Sequence, residues 1–520
     1  MTVQSKSNLK YLNTKEPVEL VLELDSFAGG ENIKGSDVEL KKNEARICKN
    51  WDSDALGGMI RSKGFNEIAD GGAAYTDLLD LLIQHEEGTT QKLYGVIEGD
   101  LVIQDGTDIN QEDAAAFTTG KICHGISAGD ALWVANDTDN LRRKTIGNAI
   151  ADAVDQPSSV SPRIYMHKFR LVAEGSGKTI YGCRAGTGNW NEADAWSLSN
   201  DAYNIDLPDD TKGAIMNFPS GDEYTVFTKD KAYSLYNAPD IAYRPIPNSH
   251  GCSAPYSIAK GNEGVFLLSE IPTLGVYLWN GVQWINLTEF HDFVDDINFS
   301  KDIHGIYRDG KYYLLYNETG SGVSYVNKMR IYDTKYGRWM ERPINSAVGD
   351  NFGYPALMKF SNNELYVGSS RKDKVYELET DDNSDEGENT EANYKTKNFS
   401  SKDFSVASGG QFPIDDVRIK LTGMVVTYFG TVGSFSIQWT IDRGKRSGSQ
   451  IITATADGAK INDDFVVNTS SIITLPPDKT VKRSFNNSAV GDTVNIQIIN
   501  NSTGERLKIK KVKIEAITVI

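Results

Sequence analysis

The stretch "HGIYRDGKYYLLYN" (His304–Asn317) restricts what the chain can fold into. Two aromatic-rich runs flank Asp309-Gly310, and an Asp-Gly pair supplies the positive φ values that a two-residue hairpin turn requires. "LWNGVQW" repeats the device with Asn280-Gly281. From about Tyr94 onward the same strand, turn, strand pattern recurs in "LYGVIEGDLVIQDG", "RIYMHKFRLVAEGSGKTIYGC", "YTVFTKDKAYSLYN", "GVFLLSEIPTLGVYLWNGVQWINL" and "NNELYVGSSRKDKVYELE". The intervals are loose and no word repeats strictly. Small antiparallel blades that bury their faces against neighbours, while their loops vary, produce this pattern. An irregular β-propeller is expected over residues 49–378; a long series of β-sandwiches is the alternative.

At 520 residues the chain exceeds what one hydrophobic core organises, so several domains are expected. Its 47 Gly, 24 Tyr and 8 Trp favour short strands and tight turns, making the class all-β. Residues 1–48, interrupted by "DSFAGGENIKGSD", read as an extended N-terminal arm. "ELETDDNSDEGENTEA" has no apolar anchor after Leu378 and places an acidic linker at 379–398. Beyond it, "DVRIKLTGMVVTYFG", "SFSIQWTIDRG", "TVNIQIINN" and "LKIKKVKIEAITVI" alternate apolar and polar residues with period two. Residues 399–520 are therefore expected to form an antiparallel β-sandwich.

The net charge of −17 argues against a general nucleic-acid binder, which neutralises phosphates with basic patches. Residues 399–520 hold 15 Lys+Arg and 11 Asp+Glu, so the acid is concentrated in the residues before them. Cys48, Cys123, Cys183 and Cys252 have no zinc-ligand spacing and read as reduced, buried thiols. No apolar leader segment opens the chain and no run of about 18 apolar residues occurs, so a soluble protein made in a cytoplasm, without membrane insertion, is expected. Asn286-Leu-Thr and Asn317-Glu-Thr are then chance sequon matches.

Four stretches imitate functional motifs. "AEGSGKTI" (Ala173–Ile180) has Val172 where a phosphate loop needs Gly, and its flanks read as strands, so it is expected to be a hairpin tip. "DDNSDEGENTEA" has a calcium loop's alternating acids, but its Gly387 falls one place late and Ala392 stands where a bidentate acid belongs. "HDFVDD" with His304 offers metal-ligand types, yet Phe290, Phe293 and Ile297 suit a short amphipathic helix. In "IYDTKYGRWM", Asp333 opens a turn and Trp339 supplies a large buried ring. No nucleophile elbow, HExxH or Cys/His pair is present, so no enzymatic activity, cofactor or metal is expected. A glycosidase would need two facing carboxylates about 5–10 Å apart, and no motif supplies them.

"FAGGENIKGSDVELKKNEARICKNWDSDALGGMIRSKGF" resembles the opening of the propeller-type tail proteins of short-tailed bacteriophages, the nozzle or tail-hub family. The elements that carry the resemblance are Gly29, Gly30 and Asn32, then Asn50, Trp51 and Asp52, then Arg61, Lys63, Gly64 and Phe65. Ser62-Lys63-Gly64 departs from the family's Arg-Pro-Gly. The likeness continues through "SPRIYMHKFRLVAEG", "YTVFTKDKAYSLY", "HGCSAPYSIAKGNEGVFLLSEIPTLGVYLWNG" and "RIYDTKYGRW", over about residues 25–380. It implies a structural protein of the virion tail that assembles as a ring, often of six copies. Such a ring forms part of the DNA-ejection channel, contacts a tail adaptor and fibre or other tail proteins, and passes genome DNA without specific binding.

On this reading Asn50–Phe65 is a structural strap entering the first blade, with Gly57 and Gly58 permitting a chain reversal and Trp51 and Phe65 packing as anchors. Lys508, Lys510, Lys511 and Lys513 are candidate assembly contacts, and Lys508, Lys510 and Lys513 are equally the solvated face of a strand whose Leu507, Ile509, Val512 and Ile514 are core. The competing function is a carbohydrate- or receptor-binding propeller at a tail tip.

Overall fold

A computed structural model describes residues 17–519 except 33–35, 37–39, 54–55, 73–74, 76–78, 158–159, 176, 187–189, 211–215, 218–222, 290, 301, 322–325, 343–351, 358–362, 370–372, 381–390, 411–416, 430–432, 443–445, 455–478, 485–489 and 502–506. The chain is all-β and forms two compact units, one spanning residues 65–335 with 346–380 and the other 1–64, 336–345 and 381–520.

The first unit is a β-propeller with seven blades among the described residues. The first blade runs Leu79–Glu87, Thr90–Ile97, Asp100–Asp105 and Asp108–Asp113, each strand antiparallel to the one before it. Blades two to five begin at His124–Ala128, Ile164–His167, Met216–Asn217 and Ala259–Lys260, and each adds three further strands outward. Blade six contributes His304–Arg308, Lys311–Tyr316 and Lys328–Asp333 to this unit. The first strands lie side by side: Leu79–Glu87 against His124–Ala128, that against Ile164–His167, and Phe352–Leu357 of blade seven back against Leu79–Glu87.

Blade seven closes the circle. Phe352–Leu357, Leu365–Ser369 and Lys374–Thr380 come from the end of the unit, and its fourth strand is Gly64–Asp70, from before blade one. Phe65 meets Tyr376 edge to face at 5.3 Å, and Lys374 pairs with Glu67. Apolar clusters fill the seams between blades. Ala69, Tyr366 and Val375 of blade seven pack with Leu79, Leu93 and Val102 of blade one, and Val172 and Ile180 of blade three pack with Val226 and Leu235 of blade four. Fully burying one such side chain is worth about 1.5–3 kcal/mol.

The second unit is a two-sheet sandwich. One sheet orders Ser405–Val406, Glu19–Leu24, Lys508–Thr518, Ile419–Phe429 and Lys479–Ser484. The other orders Glu44–Lys49, Ala392–Thr396, Thr493–Asn500, Gly433–Ile441 and Arg446–Ala454. Alternate residues of each strand are buried: Leu20, Leu22 and Leu24; Val512, Ile514 and Ala516; Val494, Ile496 and Ile498. Tyr428 of one sheet and Phe435 of the other meet edge to face at 5.2 Å.

The division differs from the one read in the sequence. The described part of residues 1–48 is extended but not a separate arm, because Glu19–Leu24 pairs along its whole length with Val512–Ile517 and Glu44–Lys49 pairs with Ala392–Thr396. Residues 49–64 belong with the sandwich, and the 379–398 linker ends in a sandwich strand. Leu20, Leu22 and Leu24 already carry the period-two pattern of a half-buried strand, but their partners lie about 500 residues away, beyond any local signal.

Candidate functional site

The residues of the opening stretch up to Gly64 fall in the sandwich unit. Gly30, at φ 67°, lies where a Cβ would meet the Arg338 side chain at 2.5 Å, and the Arg338 guanidinium donates from Nη1 to the Phe27 carbonyl at 3.0 Å. A Cβ on Gly29 would strike the Asn43 carbonyl oxygen at 2.6 Å. Asn32 donates its backbone N–H to the Ala45 carbonyl at 2.8 Å. Asn50 takes a left-handed φ of 52°, its N–H bonding Glu341 O at 3.0 Å and its side-chain Nδ2 bonding Glu391 O at 3.0 Å.

Trp51–Ser53 and Met59–Arg61 then form a hairpin, with Asp52 opposite Ile60 and Gly57 in its connection at φ 83°. Its second strand pairs with Lys508 and Ile509. Gly58 leads into that strand. Trp51 is 1% exposed, and Arg61 is buried with Nη1 on Asn500 Oδ1 at 2.9 Å. Gly64 begins the next strand, Gly64–Asp70, which is the outer strand of blade seven. The stretch thus leads into the closing blade, where the sequence reading placed the first one, because the chain supplies the last sheet's fourth strand before it builds the first sheet.

Lys508, Lys510, Lys511 and Lys513 are half-buried on Lys508–Thr518, alternating with buried Ile509, Val512 and Ile514. The alternation slips once, where Thr427 opposes Lys511 and Tyr428 opposes Ile509, so that Lys510 and Lys511 fall on the same side of the sheet. Lys511 pairs with Glu23 at 2.9 Å and Lys513 with Glu515 at 3.5 Å. Glu23 is held below the usual carboxylate range, chiefly by its hydrogen bond from Lys511. These pairs belong to the solvated face of the strand.

Sequence reasoning missed a polar cluster at the propeller's centre. The starts of first strands bring it together: His124 opens blade two, Arg163 and Tyr165 stand at the start of blade three, Tyr256 precedes blade five and His304 opens blade six. Arg163 Nη2 lies 2.5 Å from Glu174 Oε2, and Tyr165 Oη donates to Glu174 Oε1 at 3.2 Å. The Arg163 guanidinium sits 5.8 Å from the Tyr256 ring centroid, His124 is 4.9 Å from Tyr165, and Tyr256 is 5.6 Å from His304.

Burial opposes the charge of Arg163, but Glu174 more than offsets this and keeps the guanidinium cationic. Burial pushes His124 and His304 down to about 3, so both are neutral at physiological pH. His124 Nδ1 accepts the Ile164 N–H at 3.3 Å, which places its proton on Nε2. The cluster is a paired cation among neutral rings. It fixes the first strands of four blades to one another. Arg163, Tyr165 and Glu174 come from one hairpin of blade three, while His124, Tyr256 and His304 come from three other blades, so no single stretch of sequence displays the cluster.

The motif-like stretches take structural roles. Arg170–Glu174 and Thr179–Gly182 are antiparallel neighbours with Gly177 at φ 98° between them, a hairpin tip as expected. Phe293–Asp296 is one 3₁₀ turn with Phe293 and Val294 buried. The acidic loop 381–390 lies outside the described residues. Among the described residues no group of three or more His, Cys, Asp or Glu could hold a metal ion, and no helix is long and apolar enough to cross a membrane. All four cysteines are buried and outside any disulfide, and burial pushes the Cys123, Cys183 and Cys252 thiols up to about 12.

No protein-family model matches the chain, and no curated protein matches it. Among solved structures it is similar to the WD40 β-propeller domain of Doa1, at 9% identity and a TM-score of 0.39 over 61% of this chain and 97% of that one. It is similar to the N-terminal domain of Nup159 at 9% identity and 0.37, over 64% and 99%. The extracellular domain of the putative hybrid two-component system BT3049 from B. thetaiotaomicron is similar at 11% identity and 0.44, over 90% of this chain and 62% of that one. The propeller itself is read from the chain's own seven blades.

Proposed function

We propose that this propeller protein is a structural component of a bacteriophage tail, a nozzle or hub that assembles as a ring, with six copies the expected number. In that assembly it forms part of the DNA-ejection channel and a platform for the tail adaptor and fibre proteins. One observation carries the reading beyond the sequence resemblance: the charge is segregated by unit. The propeller unit holds 25 Lys+Arg against 43 Asp+Glu, a net −18, whereas the sandwich unit holds 29 against 28, a net +1. Carboxylates on the propellers of a ring would repel the phosphate backbone, so that DNA passes without sticking. The near-neutral sandwich would meet other proteins without that repulsion.

Duplex DNA titrated into the assembled protein at low salt tests this. The reading expects no binding up to micromolar concentrations at about 50 mM salt, and tight, salt-dependent binding there would contradict it. The competing role, a receptor-binding propeller, expects a monomer or trimer that captures glycans.

A further inference from the structure

Asn280-Gly281 is the one Asn-Gly pair in the sequence. It lies in the turn that joins Gly275–Trp279 of blade five to the outer strand Trp284–Asn286, with Gly281 at φ 92°. Residues 281–283 are exposed, Val282 at 87%, so water reaches the tip.

The hydrogen bonds of this turn fall on the atoms that matter for the chemistry of such a pair. Asn280 Oδ1 accepts the Val282 N–H at 3.0 Å and the Gln283 N–H at 2.9 Å. Two backbone donors at that distance from an oxygen about to carry negative charge make an oxyanion hole. Neither the Gly281 N–H nor Asn280 Nδ2 donates a hydrogen bond among the described residues, so nucleophile and leaving group are both unencumbered. In Asp70-Gly71, by contrast, the Gly71 N–H is engaged by the Asp373 carbonyl at 3.1 Å. Gly281 also brings no Cβ to obstruct the approach of its own nitrogen to Asn280 Cγ.

We propose that Asn280-Gly281 is a site of spontaneous deamidation that the folded turn itself promotes. The Gly281 nitrogen gives its proton to solvent hydroxide and attacks Asn280 Cγ, and the carbonyl electron pair moves onto Oδ1, held there by the Val282 and Gln283 N–H groups. The oxyanion collapses, the Cγ–Nδ2 bond breaks, and Nδ2 takes a proton from water and leaves as ammonia. Water then opens the cyclic imide, giving aspartate by attack at the side-chain carbonyl and isoaspartate by attack at the main-chain carbonyl. The net change is one water taken up and one ammonia released.

Either product adds a negative charge to the propeller. Aspartate leaves the main chain as it was. Isoaspartate carries the main chain through Cβ and lengthens the link between Trp279 and Trp284, which pair across the hairpin with their rings stacked at 5.0 Å.

The test incubates the full-length protein in mildly alkaline buffer, folded and in denaturing urea, and follows the peptide carrying Asn280 by mass spectrometry, with isoaspartate identified by enzymatic methyl transfer to its carboxyl group. Asn280 should convert at least as fast in the folded chain as in urea, and ahead of every other Asn of the folded protein. Slower conversion in the folded chain would overturn the proposal, because the turn would then protect the pair. Val282→Pro removes one of the two donors and should lower the folded-to-urea rate ratio roughly tenfold. An unchanged ratio would overturn the role given to the two N–H groups, and if this variant does not fold, the wild-type comparison decides alone.

Discussion

Glu174 shows how much depends on single residues near the propeller's centre. It is fully buried and balances Arg163, so Glu174→Gln leaves a guanidinium in the interior without its counter-charge. Loss of one partner of a buried pair costs about 3–5 kcal/mol, and denaturant unfolding of the variant should show a deficit of that size. A loss under 1 kcal/mol would mean that water reaches Arg163. The histidines give a second, pH-dependent expectation. Burial lowers His85, His124, His167, His250 and His304 in the folded protein. Below pH 6.5 the unfolded chain therefore binds protons that the native state refuses, so stability is complete above that value and falls as pH drops toward 4.5. Each histidine that stays neutral adds up to about 1.4 kcal/mol per pH unit to the slope. His304→Gln should flatten that slope, and an unchanged slope would show that His304 is protonated in the fold.

At the scale of elements, the two ways of pairing strands explain what could be read in advance. Local hairpins were legible because the signal sits within a few residues: Asp309-Gly310 joins Arg308 to Lys311 with both turn residues at positive φ. "LWNGVQW" was legible only in part, because its turn spans Asn280 to Gln283, with the Asn280 side chain accepting from Val282 and Gln283 N–H at 3.0 and 2.9 Å. The pairing of Glu19–Leu24 with the chain's last strand, and the use of Gly64–Asp70 to close blade seven, depend on partners hundreds of residues away. The central cluster was invisible because its residues meet only when separate blades come together, and the hairpin that joins His167 to Arg170 through Lys168-Phe169 because turn rules look for Gly or Asn. Closure makes its own prediction. Phe65→Ala removes the ring that packs on Tyr376 and should lower the propeller's unfolding free energy by about 3–5 kcal/mol. Unchanged unfolding would mean that Gly64–Asp70 is not what locks the propeller.

Across the whole molecule, the net negative charge belongs to the propeller and the sandwich is near neutral. The sandwich gathers both ends of the described chain into one pair of sheets, and the propeller between them displays the net negative charge. Under the proposed tail role, this division leaves the propeller to repel passing DNA and the sandwich to meet other proteins. The most direct measurement is the mass of the purified chain by light scattering, alone and mixed with tail adaptor, with negative-stain imaging of what elutes. The account predicts a closed ring of hexamer size, formed by the chain itself or on mixing. A persistent monomer or trimer that binds a glycan array would contradict it and make the receptor-binding role the correct one.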